Sequence, residues 1–231
     1  MKKRFFAILL AVMLVLGMSL TASADEYNWE IGICTKITIN STDTPTVYIA
    51  GSFVNNDSVA LSPSTGTAKL YDASDNLLYE GSVYCIPSVV QPGERAYFSI
   101  DVRTSNFTNP DAKVDDYTFD FEPYKTSYIS YERVSASVEI GTELDSIYGY
   151  PVTLSITNNT GAPMEDFNIA SVFIDNSDGE PIFVSDTDYI YNRIPVGSTF
   201  LFNTYIPEAV LNLINEQIPN HSVEALVYVS K

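Results

Sequence analysis

The chain has 231 residues and a formal net charge of −17, with 12 basic residues against 29 acidic ones. That balance argues against nucleic acid and anionic membrane surfaces as partners, since both need clustered Lys/Arg. A hydrophobic fraction of 45%, with 16 Tyr and 12 Phe, argues against disorder, because so much apolar area offsets the entropy of ordering.

Lys2, Lys3 and Arg4 precede a continuous apolar run from Phe5 to Leu16, and Ala22-Ser23-Ala24 supplies the small residues of a cleavage site. Residues 1–24 are therefore expected to be a secretory signal peptide, the run being short for a membrane anchor. No cysteine lies near the cleavage site to take a lipid, and Tyr228-Val229-Ser230-Lys231 has no apolar stretch. The mature chain is expected to be secreted, extracellular or envelope-associated, without membrane insertion. Cleavage would remove three basic residues and no acidic one, which makes the mature chain still more acidic.

Beyond residue 25, apolar and polar residues alternate with period two in short segments, as in strands with one buried face. Trp29, Ile31, Ile33, Ile37 and Ile39 form the inward face of a first strand, and Val47, Ile49 and Phe53 that of a second. Ala68-Lys69-Leu70-Tyr71 and Leu77-Leu78-Tyr79 flank a polar turn that opens at Asp72, which makes a hairpin. Tyr97–Val102 follows the turn Pro92-Gly93, and Tyr117–Phe121 is a sixth strand.

The pattern returns at an offset of 103: Asn55-Asn56 matches Asn158-Asn159, Asp72 matches Asp175, Asp75 matches Asp178 and Pro92 matches Pro195, with no gap. In the second copy Val134, Ala136, Val138 and Ile140, then Tyr150, Val152, Leu154 and Ile156, face inward. A hairpin around Asp175 and Asp178 follows, then strands at Phe200–Phe202 and Val223–Val229. Such spacing predicts two tandem antiparallel β-sandwiches, over residues 25–125 and 126–231. The copies differ where Val210, Leu211, Ile214 and Ile218 recur at helical spacing between Pro207 and Pro219, which predicts a short helix plugging the second sandwich. Phe107–Val114 is its weaker counterpart. The junction at residues 122–127 has no Gly/Ser tether, so close coupling of the modules is expected.

Gly51-Ser52-Phe53-Val54-Asn55-Asn56, Ala68-Lys69-Leu70-Tyr71-Asp72 and Pro92-Gly93-Glu94-Arg95-Ala96-Tyr97-Phe98 resemble the motif of FxLYD-type domains, small immunoglobulin-like β-sandwich modules of bacterial and archaeal surface or secreted proteins. Ala68 stands where that motif has Phe, and the second copy reads Ser171, Phe173 and Ile174 there. The resemblance covers residues 47–102, and the second copy more weakly. It implies immunoglobulin-like sandwiches and supplies no catalytic site.

Cys34 and Cys85 are the only cysteines, and both are absent together from the second copy, where Ser137 and Asp188 stand. In an oxidising compartment such a pair is usually bridged. Alternation sets Cys34 on the polar side of its strand, and Asp186 and Asp188 indicate the same for Cys85, so a disulfide on the outer surface or rim of the first sandwich is expected, with free thiols as the alternative.

Neither a catalytic residue, a cofactor nor a metal site is expected. His221 is the only histidine, set in a loop after Pro219-Asn220, and there is no Gly-x-Ser-x-Gly elbow and no multi-His zinc pattern. Asp72, Asp75 and Asn76, their counterparts Asp175, Asp178 and Glu180, and the pairs Asp115/Asp116 and Asp186/Asp188 have oxygen ligands suited to calcium, but hairpin turns require the same residues. Trp29, Tyr124, Tyr128, Tyr131, Tyr148, Tyr189 and Tyr191 would form a binding face if exposed together. The expected function is non-catalytic interaction, through strand edges, loops or the module interface, with an unknown protein or cell-envelope glycan. One alternative is a carbohydrate-binding accessory protein using exposed, coplanar aromatics. Another is a small secreted hydrolase with two carboxylates in a cleft.

Overall fold

The β-branched and aromatic segments fold as strands in the computed structural model, which describes residues 27–40, 45–127, 131–185 and 188–230. The expected signal peptide, Tyr128 and Asp186 lie outside the described residues. The first half runs through β1 (Trp29–Ile31), β2 (Thr35–Ile39), β3 (Thr46–Asn55), β4 (Leu61–Ser62), β5 (Gly66–Tyr71), β6 (Leu77–Val83), β7 (Cys85–Ile86), β8 (Arg95–Arg103), a 3₁₀ turn over Thr104–Asn106, and β9 (Asp116–Asp120). β10 (Tyr124–Lys125) completes the first half by pairing with β4, and the second runs through β11 (Tyr131–Arg133), β12 (Ala136–Ile140), β13 (Tyr150–Thr157), β14 (Phe167–Asp175), β15 (Pro181–Val184), β16 (Asp188–Ile190), β17 (Thr199–Ile206), the helix α1 (Glu208–Gln217) and β18 (His221–Ser230).

These strands make two antiparallel immunoglobulin-like sandwiches, and the sandwiches stack on each other. The first sandwich packs the sheet β6-β5-β9 on a sheet ordered β1-β3-β8-β7, with β2 also on β3. Its core holds Val47, Ile49, Phe53, Leu70, Leu78 and Phe98. The second packs β12-β13-β17 on β11-β18-β14-β15, with β16 also on β14, around Val152, Leu154, Ile169, Phe173 and Val227. Between the two lies a third apolar layer: Ala50, Ile86 and Tyr97 from the first against Ala170, Val172, Ile174, Leu226 and Tyr228 from the second. Period two explains it, since on β14 Ile169 and Phe173 point to one sheet while Ala170, Val172 and Ile174 point to the other.

The first strand departs from the simple alternation. Ile31 opposes Phe53, whereas Thr35 opposes Ala50, so four steps on one strand meet three on the other in a bulge over Gly32-Ile33-Cys34. One extra residue turns the strand over. Trp29 and Ile31 pack on the first core as expected, but Ile33 is 65% exposed and Ile37 is buried in the core of the second sandwich.

The repeat also contains a one-residue insertion. The first hairpin closes with the Asp72 N–H on the Asn76 carbonyl, the second with the Asp175 N–H on the Glu180 carbonyl. The left-handed residues are Asp75 (φ 60°) and Gly179 (φ 78°), so Asp75 corresponds to Gly179 and not to Asp178. Beyond the hairpin the offset is 104: Gly93 and Gly197 share φ near 75°, which displaces the Pro92/Pro195 match by one. The buried asparagines hold their places. Asn55 Nδ2 donates to the carbonyls of Val59 and Val90, and Asn158 Nδ2 to those of Ala162 and Ile194, all within 2.9 Å.

α1 forms where the spacing predicts it, with Val210, Leu211 and Ile214 buried in the second core and the Ile218 N–H closing on the Ile214 carbonyl. The first sandwich has only the 3₁₀ turn there, followed by buried Phe107.

Candidate binding groove at the sandwich junction

The two sandwiches are clamped by polar contacts at one rim of the shared layer. Glu180, just past the second hairpin, accepts from Ser52 Oγ at 2.9 Å and pairs with Arg95 at 3.3 Å. Arg95 also donates to the Gly179 carbonyl at 3.2 Å, and Ser99 Oγ to the Val184 carbonyl at 3.0 Å. A Cβ at Gly32 would meet Ser52 Oγ and the Glu180 carboxylate, so a side chain there would displace this clamp.

Further along the same junction a groove opens, lined by both halves of the chain. One wall is the loop between β12 and β13. Asp145 Oδ1 accepts from the N–H groups of Ile147 at 2.8 Å and Tyr148 at 3.0 Å, and Asp145 and Gly149 exchange backbone hydrogen bonds. These bonds hold the Asp145 carboxyl below its ordinary value. Gly149 (φ 103°) lies so close to the Ile206 carbonyl that a Cβ would overlap it. A loop fixed in this way presents Ile147 at 80% exposure and Tyr148 at 59%, an arrangement that lowers the entropy lost on binding. Tyr148 packs on Tyr205 with ring centroids 5.2 Å apart and planes tilted by 39°.

Two cavities flank this pair, one of about 300 Å³ lined by Tyr48, Asp101, Phe183 and Asn203, the other of about 530 Å³ lined by Arg103, Leu144, Ile147 and Glu208. They share Tyr48, Tyr148 and Pro207 and form one groove. Tyr48, Asp101 and Arg103 come from the first sandwich and the loop, Tyr205 and Pro207 from the second, so neither module has the groove alone.

No family model matches the chain, and no curated protein matches it.

The expected disulfide is not formed: Cys34 and Cys85 are both free. They lie on the core-facing side of one sheet, Cys34 Sγ over Gly51 and Cys85 opposite Phe98, with β3 and β8 between them. Three strand spacings make roughly 14 Å, against a Cα separation under about 7 Å for a disulfide. The bulge and the crossing after β6 bring both thiols inward, where strict alternation sets them outward. Burial, then the Glu180 charge, pushes the Cys34 thiol up to about 12, and burial raises that of Cys85 as well.

The other sequence candidates separate. His221 opens β18 instead of lying in a loop, its Nδ1 2.7 Å from the Ile218 carbonyl and its ring over Phe173. Asp72 caps its own turn, accepting from the N–H groups of Ser74 and Asn76, and its pKa is lowered by the Asn76 side chain and these two amides. Asp175 likewise accepts from Ser177. Among the described residues no group of three or more His, Cys, Asp or Glu converges to hold a metal ion.

Trp29 stacks on Phe53 at 5.2 Å in the first core, and Tyr131 is half-buried. Tyr189 and Tyr191 form an exposed pair 4.6 Å apart, tilted by 62°, and Tyr124 stands exposed on β10. Sequence reasoning missed Ile147, Tyr205, Asp101 and Arg103. One signal was available: at the 103 offset Leu144, Ile147 and Tyr148 replace Ser41, Thr44 and Pro45, three apolar residues in a loop.

Proposed function

We propose that this chain is a non-catalytic recognition protein, secreted to the cell surface or beyond, which binds a polypeptide partner in the groove where its two sandwiches meet. The observation that carries the reading is that both halves of the chain build this groove around a rigid loop displaying Ile147 and Tyr148. An exposed apolar loop tip beside aromatic side chains is the composition of a protein-binding hot spot. Against a sugar-stacking platform stand the ring planes, tilted by 39° in one exposed pair and 62° in the other. A relationship to FxLYD-type modules is part of the proposal, supported by Asn55 and Asn158 in their motif positions, each stapling a loop to the end of a strand.

The test is a pull-down with the protein against envelope fractions of the producing cell, beside a glycan array. An Ile147→Ser/Tyr148→Ala double variant, which changes only exposed side chains, is the control. A polypeptide captured by the wild type and lost by the variant supports the proposal. Capture indifferent to the variant, or retention of a glycan instead, overturns it.

A further inference from the structure

β8 and β17 are the same strand in the two sandwiches, yet their edges differ. β8 is paired on both sides, with β3 on one and β7 on the other, where Cys85 opposes Phe98 and Ile86 opposes Tyr97. At the offset of 104, Tyr97 and Phe98 correspond to Leu201 and Phe202 of β17. There the matching segment does not cross between sheets. It stays beside β14 as β16, with Ile190 opposite Phe167. Among the described residues β17 therefore pairs with β13 alone.

The open edge is long and unguarded. Thr199-Phe200-Leu201-Phe202-Asn203-Thr204-Tyr205-Ile206 has no charge and no proline in a chain of net charge −17, and its register with β13 has no bulge. Natural edge strands carry such features to prevent pairing. The edge also borders the groove, since Asn203, Thr204 and Tyr205 line the smaller cavity.

We infer that β17 takes a strand from the partner: an extended, neutral or basic polypeptide segment lies antiparallel along this edge opposite Leu201 and Phe202, as β7 lies along β8. This rests on the groove reading above and specifies its ligand. Main-chain hydrogen bonds to β17 supply affinity, and alternate side chains enter the cavity between Tyr48, Phe183 and Tyr205. The charged groups lining the groove are Asp101, Asp145 and Glu208 against Arg103. That excess of acid, with the net charge of the chain, favours a basic segment and disfavours a second copy.

The experiment selects phage-displayed twelve-residue random peptides on the full protein and maps the selected peptides by amide hydrogen exchange. Expected are peptides with alternating apolar side chains and an excess of Lys/Arg, which slow exchange across β17 at least tenfold at saturation. Leu201→Lys, a change at a side chain 64% exposed, should weaken them at least tenfold. The inference is overturned if no peptide is enriched, if β17 amides in the free protein already exchange as slowly as those of β13, or if bound peptides leave β17 unchanged. A concentration-dependent dimer that protects β17 overturns it in favour of a second copy. Peptides lost with Tyr148→Ala that leave β17 exchange untouched sink strand addition and spare the groove reading; peptides indifferent to Tyr148→Ala sink both.

Discussion

Leu226→Ala tests whether the two sandwiches fold as one body. Leu226 is 0% exposed and points from β18 into the layer against Ala50 and Tyr97, away from the core of its own sandwich. Truncating a fully buried leucine costs about 2–5 kcal/mol. With a urea dependence of about 2 kcal/mol per molar, a loss of about 3 kcal/mol lowers the unfolding midpoint by about 1.5 M. The reporter is built in, because Trp29 is the single tryptophan and sits in the first sandwich, stacked on Phe53. Its fluorescence and far-UV circular dichroism should give coincident transitions in the wild type, and both should move in the variant. Were the sandwiches independent, Leu226 would be a surface residue of the second one, its loss would cost within about 0.5 kcal/mol, and the Trp29 transition would stay where it was. A Trp29 midpoint unmoved by Leu226→Ala refutes the coupling.

Asn158→Ala removes the Nδ2 bonds to the Ala162 and Ile194 carbonyls, which keep Thr160 Oγ1 and the Met164 N–H as their other donors, and should cost about 1–3 kcal/mol in urea unfolding, with Asn158→Ser failing to restore it. Both thiols should resist Ellman's reagent in the native protein and react fully in denaturant. Since the Cys34 pKa is raised from 9.0 to about 12, stability from its burial is complete below 9.0 and is lost as pH rises towards 12, so Cys34→Ala should flatten the alkaline limb of the stability curve. The carboxyl of Asp145 is shifted the other way. Its contribution is present above the ordinary value of 3.8 and is lost as pH falls through the lower folded value, so the Ile147 and Tyr148 amides should lose exchange protection in acid before the β13 amides do.

Fold class was legible because period-two alternation and a duplicated turn need only local sequence. Contacts across the junction were not, since they depend on which outer faces meet. The difference was nevertheless written between the copies. Ile169-Ala170-Ser171-Val172-Phe173-Ile174 is almost continuously apolar, the pattern of a strand covered on both faces, whereas β5 alternates through Thr67 and Lys69. Lys69 and Val172 are the same position, one at a solvent face and the other in the shared layer. The cysteines misled for a related reason: their joint absence from the second copy signals a shared environment, the space around Gly51 and Phe98, as readily as a bond. The bulge over Gly32-Ile33-Cys34 reverses the reading that strict alternation gives there, turning Ile33 outward and Cys34 inward.

Head-to-tail stacking of two like modules leaves two outer faces, for the sheet that receives a neighbour in the first sandwich has its counterpart at the far end of the second. Ala50, Tyr97 and Ser99 in the receiving face become Thr153, Leu201 and Asn203 at that end, where Thr153 and Asn203 hydrogen-bond to each other at 2.9 Å. At the other end, Ala170, Val172 and Leu226 become Thr67, Lys69 and Asp120, with Lys69 and Asp120 paired at 3.6 Å. Burying either polar face against another copy would strip water from groups that gain no new partner, at a cost of a few kcal/mol for each unpaired group. Neither outer face repeats the apolar layer of the junction. What the second sandwich leaves open is the uncharged edge of β17, beside a groove that both modules build.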